Sequence, residues 1–202
     1  MTNPTAKRAF DVVCSGIGLI VLSPVLLVIA ALVKCSDFGP VCYRQQRVGR
    51  DEEPFWIWKF RTMVVNADKL GLSVTKDGDP RITRVGRVLR KLKLDELPQL
   101  WNVFCGSMSL VGPRPEVPKY VGMYTPEQRR ILRLKPGITD LATLEFRHEE
   151  ELLAAAPDVD AFYREHCIPR KIELNLLYAE RANLWQDFLI ILRTLFPLKK
   201  RG

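Results

Sequence analysis

Two adjacent carboxylates, Asp95 and Glu96, stand in the stretch KLKLDELPQL, just after a run of cations and just before Pro98. Acidic side chains in a basic neighbourhood suit phosphoryl chemistry: the carboxylate acts as nucleophile and the cations neutralise the phosphate it attacks. An aspartate that merely caps a helix gives the same local sequence. The cations belong to RITRVGRVLRKLK, residues 81–93, which holds six Lys and Arg, including Arg90, and no acid. Val85, Val88, Leu89 and Leu92 recur there at helical spacing, so the cations are expected on the opposite side. Pro98 is tolerated in a helix only within the first turn. One helix should therefore end near Leu94 and a second, DELPQLWNVF, should start at the carboxylate pair. Its free N–H groups and positive dipole end would then keep Asp95 ionised.

A further basic group follows in GSMSLVGPRPEVPKY, where Arg114 stands between Pro113 and Pro115. The prolines fix φ on either side and limit the entropy lost in presenting the guanidinium, whose planar fork grips phosphate bidentately. Upstream, PVCYRQQRVGRDEEPFWIWKFRTM reads as a β-hairpin with a polar turn from Gly49 to Glu53. Side chains alternate along a strand, so Lys59 and Arg61 share one face and Phe60 takes the other. That basic face is either a phosphate clamp or an ordinary solvated surface.

These residues need a scaffold, and 202 residues with 47% hydrophobic content suit one domain with its own core. The 31 Lys and Arg against 23 Asp and Glu give a formal charge of +8, which favours polyanionic partners: nucleic acid, anionic lipid or phosphorylated small molecules. Five cysteines, Cys14, Cys35, Cys42, Cys105 and Cys167, form no CxxC pair and are read as reduced thiols. With only His148 and His166 beside them, there is no zinc spacing.

Val12 to Val33 is 22 residues without a charge, flanked by Lys7, Arg8 and Asp11 before it and Lys34 after it. It exceeds the apolar core of a cleaved signal and is long enough to cross a bilayer. Ser23 and Pro24 interrupt its middle, where the proline removes one backbone hydrogen bond and the serine hydroxyl can satisfy the freed carbonyl. Two readings follow, a kinked span and a helix-break-helix hairpin that re-enters the same side. Cations at both ends favour the hairpin. Near the C-terminus, Leu184, Trp185, Phe188, Leu192 and Leu195 recur at helical spacing ahead of Lys199, Lys200 and Arg201, as either a membrane-facing helix or a core helix.

The ordered motifs KRAFD (7–11), the Ser-Pro-interrupted apolar segment, GPVCYRQQRVGR (39–50), KFRTM (59–63), DPRITRVGRVLRKLKLDELPQLWNV (79–103), SLVGPRP (109–115) and KPGIT (135–139) resemble the bacterial sugar transferases, or monotopic phosphoglycosyl transferases. The resemblance implies an α+β, mainly α fold. It has a re-entrant membrane anchor over residues 1–34, a small β-hairpin and amphipathic interfacial helices, with residues 35–202 as a catalytic domain forming one unit with the anchor. It implies transfer of a sugar 1-phosphate from a UDP-sugar to a polyprenyl phosphate with release of UMP, at the cytoplasmic face of a bacterial inner membrane. Surrounding lipids and downstream glycosyltransferases would be the other partners.

On this pattern Asp95 is the nucleophile and a Mg²⁺ ligand, while Glu96 is either a general base or a positioning group paired with Arg90. Pro113, Arg114 and Pro115 match the nucleotide-phosphate loop, and Lys59 and Arg61 match a second basic segment. The chain departs from the family where Asp140, Leu141, Ala142 and Thr143 replace a Gly-Trp-Ala-Gln type of continuation, which leaves the sugar open. With no multispan N-terminal extension, the sequence reads as the minimal catalytic form, and Glu149 to Asp160 as solvated helix and loop. A membrane-tethered nucleic-acid-binding module would explain the cations but give the carboxylate pair no purpose, and no nucleic acid is expected. A noncatalytic scaffold would explain the anchor but not Arg114 between prolines.

Overall fold

The structure, a computed structural model, describes residues 3–67 and 78–196. Lys199, Lys200 and Arg201 lie outside the described residues. Among those described, the chain is mainly helical with two small sheets, as the α+β expectation has it. It opens with the long helix α1 (Pro4–Asp37). Strands β1 (Cys42–Val48) and β2 (Pro54–Phe60) pair antiparallel, with Tyr43 opposite Lys59, across a 3₁₀ turn at Arg50–Glu52. Helices α2 (Arg84–Lys91) and α3 (Gln99–Cys105) flank a second 3₁₀ turn, Leu94–Glu96. Strands β3 (Ser109–Val111) and β4 (Gly137–Thr139) pair in parallel around α4 (Pro118–Val121). Five further α-helices follow among the described residues: α5 (Leu141–Glu145), α6 (Glu149–Ala154), α7 (Val159–Phe162), α8 (Ile168–Arg181) and α9 (Leu184–Leu195).

Of the four apolar clusters among the described residues, two join the site's elements to the rest. Tyr120, Ile131, Leu153, Ile168 and Ile172 bind α8 to the segments packed on it. Ile29 and Val33 of α1 meet Phe60 of β2 and Leu89 of α2. The parallel pair needs an unusually close backbone approach, since a Cβ on Gly137 would lie 2.1 Å from the Gly112 nitrogen. This crossing delivers the chain into Pro113 and Arg114.

In α1, Pro24 sits inside a single helical element rather than between two separate ones. The Ser23 hydroxyl donates to the Ile20 carbonyl at 2.8 Å, the acceptor that an N–H at position 24 would have served. Both ends of α1 are fastened to the same globular body. Near the N-terminus, Arg8 donates to the Val103 carbonyl at 2.7 Å, Lys7 meets Asp187 of α9 at 2.6 Å, and the buried Asp11 accepts the Leu110 N–H at 3.0 Å. At the other end Asp37 pairs with Arg61. Between these ends Ile17, Ile20, Val21, Val25, Leu27 and Val28 are exposed.

The expectations for the smaller elements hold unevenly. The hairpin turn falls where predicted. On α2, Leu89 is buried and Val85 half-buried, but Val88 and Leu92 of the expected apolar stripe are exposed. On α9, Trp185, Phe188 and Leu195 face outward while Asp187 and Ile190 are buried, so the aromatic stripe is not a core face. Glu149 is not solvated as expected, because its carboxylate meets Lys171 at 2.5 Å. All five cysteines are free.

Candidate active site

The carboxylate pair does not open a long helix. Lys93 adopts a left-handed φ of 57°, which turns the chain sharply after α2, and Asp95 and Glu96 occupy the separate 3₁₀ turn. Pro98 is the N-cap of α3, one residue earlier than the first-turn position expected of it. The predicted dipole contribution to Asp95 therefore gives way to another balance. Asp95 is buried, and burial raises its carboxyl above the ordinary aspartate value, helped by the Glu96 charge and opposed by Lys59, Arg90 and Arg114.

Glu96 has the opposite fate. Its Oε1 accepts from Lys59 Nζ at 2.8 Å, and the Arg114 guanidinium grips both carboxylate oxygens, with Nη1 to Oε2 at 3.0 Å. Burial penalises its charge, but Arg114 and Lys59 together outweigh that and hold the carboxyl well below its usual range. Two neighbouring acids thus sit in environments that push their titrations apart, the pattern expected of groups with different tasks. Among the described residues, the Asp95 carboxylate takes no hydrogen bond, while Glu96 is saturated as an anchor for two cations. Lys59 loses basicity through burial, partly restored by Glu96, and Arg114 is held firmly protonated, chiefly by Glu96.

Of the predicted site residues, Asp95, Glu96, Lys59, Arg90 and Arg114 converge, with Pro113 and Pro115 shaping the loop. Arg61 does not join them. It is buried against Asp37 at the end of α1, with one N–H···O contact of 2.8 Å, and fastens that end of the helix. Ser23 and Pro24 lie exposed in mid-α1.

Two residues that were not predicted frame the Arg114 loop. Asp140 is buried at the head of α5, where it accepts the Thr143 N–H at 2.5 Å, the Arg114 N–H at 3.1 Å and the Asn175 side-chain amide at 2.7 Å. Arg47 of β1 donates to the Pro115 carbonyl at 3.0 Å. The register of the hairpin could have found Arg47, since it lies on the Lys59 face. Asp140 stood out only as a departure from a familiar motif.

Among the described residues, no cluster of three or more His, Cys, Asp or Glu side chains exists that could cage a metal ion. Magnesium does not demand one, because it retains waters and commonly takes one or two carboxylates together with substrate phosphates. Asp95 suits that partial role, whereas the oxygens of Glu96 are already engaged.

A buried carboxylate that takes no hydrogen bond among the described residues, ringed by Lys and Arg on a body tied to a long apolar helix, defines a membrane-associated protein with a centre suited to phosphoryl groups. The chain matches the bacterial sugar transferase family model over residues 2–201. It is 42% identical, over 96% of its length, to the UDP-glucose:undecaprenyl-phosphate glucose-1-phosphate transferase of Klebsiella pneumoniae. It is 39% identical, over 94%, to the UDP-N-acetylgalactosamine-undecaprenyl-phosphate N-acetylgalactosaminephosphotransferase of Aeromonas hydrophila. It covers 40% and 42% of those two relatives, so it spans well under half their length. An exopolysaccharide production protein, ExoY of Sinorhizobium fredii, is 35% identical, with 94% of this chain and 84% of that protein aligned. The chain belongs to the bacterial sugar transferase family.

Proposed function

We propose that the protein transfers a sugar 1-phosphate from a UDP-sugar to undecaprenyl or a related polyprenyl phosphate, releasing UMP, as an early membrane step of surface glycan assembly. The observation that carries this reading is the contrast within the carboxylate pair: one oxygen nucleophile left unbonded, the other acid spent on holding two cations. An Asp95 oxygen attacks the sugar-bearing phosphorus of the donor, the bridging P–O bond breaks, and UMP leaves with the bond's electron pair. An oxygen of the polyprenyl phosphate then attacks the same phosphorus. That step restores the Asp95 carboxylate and yields a sugar linked to the lipid by a diphosphate. Lys59, Arg90 and Arg114 neutralise the anionic oxygens, and Glu96 positions Lys59 and Arg114 rather than acting as a general base. Asp95 would hold a Mg²⁺ ion, which would supply further neutralisation of the phosphate charge.

Residues 1–34 act as a re-entrant anchor in one unit with a catalytic domain of residues 35–202, on the cytoplasmic face of the bacterial inner membrane. What supports this is the fastening of both ends of α1 to one body, by Arg8 and Asp11 at one end and Asp37 at the other. A straight crossing helix would carry its ends ~30 Å apart, on opposite sides of the hydrocarbon. The exposed aromatic stripe of α9 suits the same interface. Glycosyltransferases that extend the lipid-linked sugar are the natural recipients of the product.

Purified protein mixed with Mg²⁺ and a panel of UDP-sugars, without lipid acceptor, should release UMP stoichiometrically with one of them and so name the sugar. Catalytic UMP release only on adding polyprenyl phosphate, with no stoichiometric phase, would rule out the two-step route.

A further inference from the structure

The segment that carries the carboxylate pair holds one more buried polar group, to which the reaction as described gives no task. Gln99 of α3 is 1% exposed, and its amide Nε2 is buried without a hydrogen-bond partner among the described residues. An unpaired donor in the interior weakens a fold, so its retention asks for something that engages it. The neighbouring Asn102 shows what a purely structural amide does here. Its Oδ1 accepts the Trp58 N–H at 3.0 Å and its Nδ2 donates to the Trp56 carbonyl at 2.8 Å, so both of its ends are spent on β2.

The backbone brings Gln99 to the same centre as the acids. From Leu94 onward N–H groups bond three residues back, Leu97 to Leu94 at 3.3 Å, Leu100 to Leu97 at 3.1 Å and Trp101 to Pro98 at 3.0 Å. Three residues per turn stack positions 96, 99 and 102 in one column. The two outer members of that column are both fastened to β2, Asn102 to its backbone and Glu96 to Lys59 Nζ at 2.8 Å. Gln99 therefore lies between them, against β2 and one turn from Glu96. Lys59, at the upper end of the column, also acts on the charge of Asp95.

We propose that the Gln99 amide is a further catalytic group, which donates a hydrogen bond to a non-bridging oxygen of the phosphoryl group as that group passes through Asp95. The inference rests on the two-step reaction proposed above and deepens it. Attack on phosphorus gathers negative charge on the non-bridging oxygens. Lys59 and Arg114 answer it with capacity they share with Glu96. A neutral amide adds a fixed dipole without a further charge to balance, and a donor shielded from water has no water to shed before it acts. The proton stays on the Gln99 nitrogen throughout, and no bond of Gln99 is made or broken.

The test compares the full wild-type chain with Gln99→Met, which keeps the length of the side chain and removes the donor, and with Gln99→Glu, which sets a carboxylate against the phosphate. Each is mixed with Mg²⁺ and the UDP-sugar that the wild type accepts, without lipid acceptor, and the single-turnover rate of UMP release is read by rapid quench. Gln99→Met should slow that release about 100-fold, the loss expected for one transition-state donor, and Gln99→Glu at least as much. UMP lacks the transferred phosphoryl group, so its Kd by titration calorimetry should stay within about two-fold of wild type in Gln99→Met. The thermal transition of Gln99→Met should be unchanged or higher, since an unpaired donor has been removed. A Gln99→Met chain that releases UMP at the wild-type rate overturns the proposal and leaves the two-step reaction standing. So does a slowed chain whose UMP affinity falls equally or whose transition drops, because Gln99 would then serve the fold. A wild-type chain with no stoichiometric UMP release overturns the two-step reaction and this proposal with it.

Discussion

At the scale of single residues, two acids that are adjacent in sequence are held in opposite environments. Burial raises the Asp95 titration, so its ionised form is carried against a desolvation cost, while Glu96 is locked ionised by Arg114 and Lys59. The sign follows directly. A carboxyl raised in the folded state gains stability as pH falls through its folded value and is a liability above it. Asp95→Asn should therefore abolish turnover yet leave the transition temperature at neutral pH unchanged or a few degrees higher, measurable by calorimetry. A loss of stability there would contradict the burial argument. The acid limb of the kcat profile should lie above the ordinary aspartate range. Asp140→Ala should remove the acceptor for the Arg114 N–H and weaken UMP binding by about ten-fold, the order expected for one lost charge-assisted hydrogen bond. In an Arg114→Ala background the same change should have almost no further effect on UMP affinity, as titration calorimetry would read. Additive losses would mean that Asp140 does not act through Arg114.

At the scale of elements, what the sequence disclosed follows from how local its causes are. The hairpin, the cationic helix and the break before Pro98 were legible because alternation, 3.6-residue periodicity and proline sterics act over a few residues. The dipole argument for Asp95 failed on one residue, Lys93, whose left-handed backbone isolates the carboxylates in a separate turn. Arg61 was assigned to the site because the KFRTM motif resembles a basic segment of the family, alternation alone leaving a solvated face equally open. Its capture by Asp37 depends on where α1 ends in space, which no spacing reveals. Asp140 and Arg47 gain their roles from contacts across 26 and 68 residues of sequence, equally invisible in a linear reading. The glycine crossing of β3 and β4 gives an elemental prediction. Gly137→Ala places a Cβ 2.1 Å from the Gly112 nitrogen, so it should cost on the order of 2–4 kcal/mol by forcing backbone apart, seen as a lower denaturation midpoint. An unchanged midpoint would show that the crossing can relax.

At the scale of the whole molecule, the proposed function has an apolar helix fastened at both ends and a basic surface around Asp95 place phosphoryl chemistry beside a lipid boundary. Cysteine labels at Asn3 and Pro40 in intact spheroplasts should share one compartment, and opposite accessibility would make α1 a span and dissolve the membrane geometry of the proposal. The most direct measurement concerns the chemistry itself. The protein is mixed with Mg²⁺ and its preferred UDP-sugar without acceptor, quenched rapidly in acid, and analysed by intact mass and peptide mapping. The account predicts one added sugar phosphate, located on the peptide carrying Asp95, discharged by polyprenyl phosphate and missing from Asp95→Asn. A wild-type chain that turns over donor and acceptor without ever carrying that mass, or that carries it on another residue, would contradict the account.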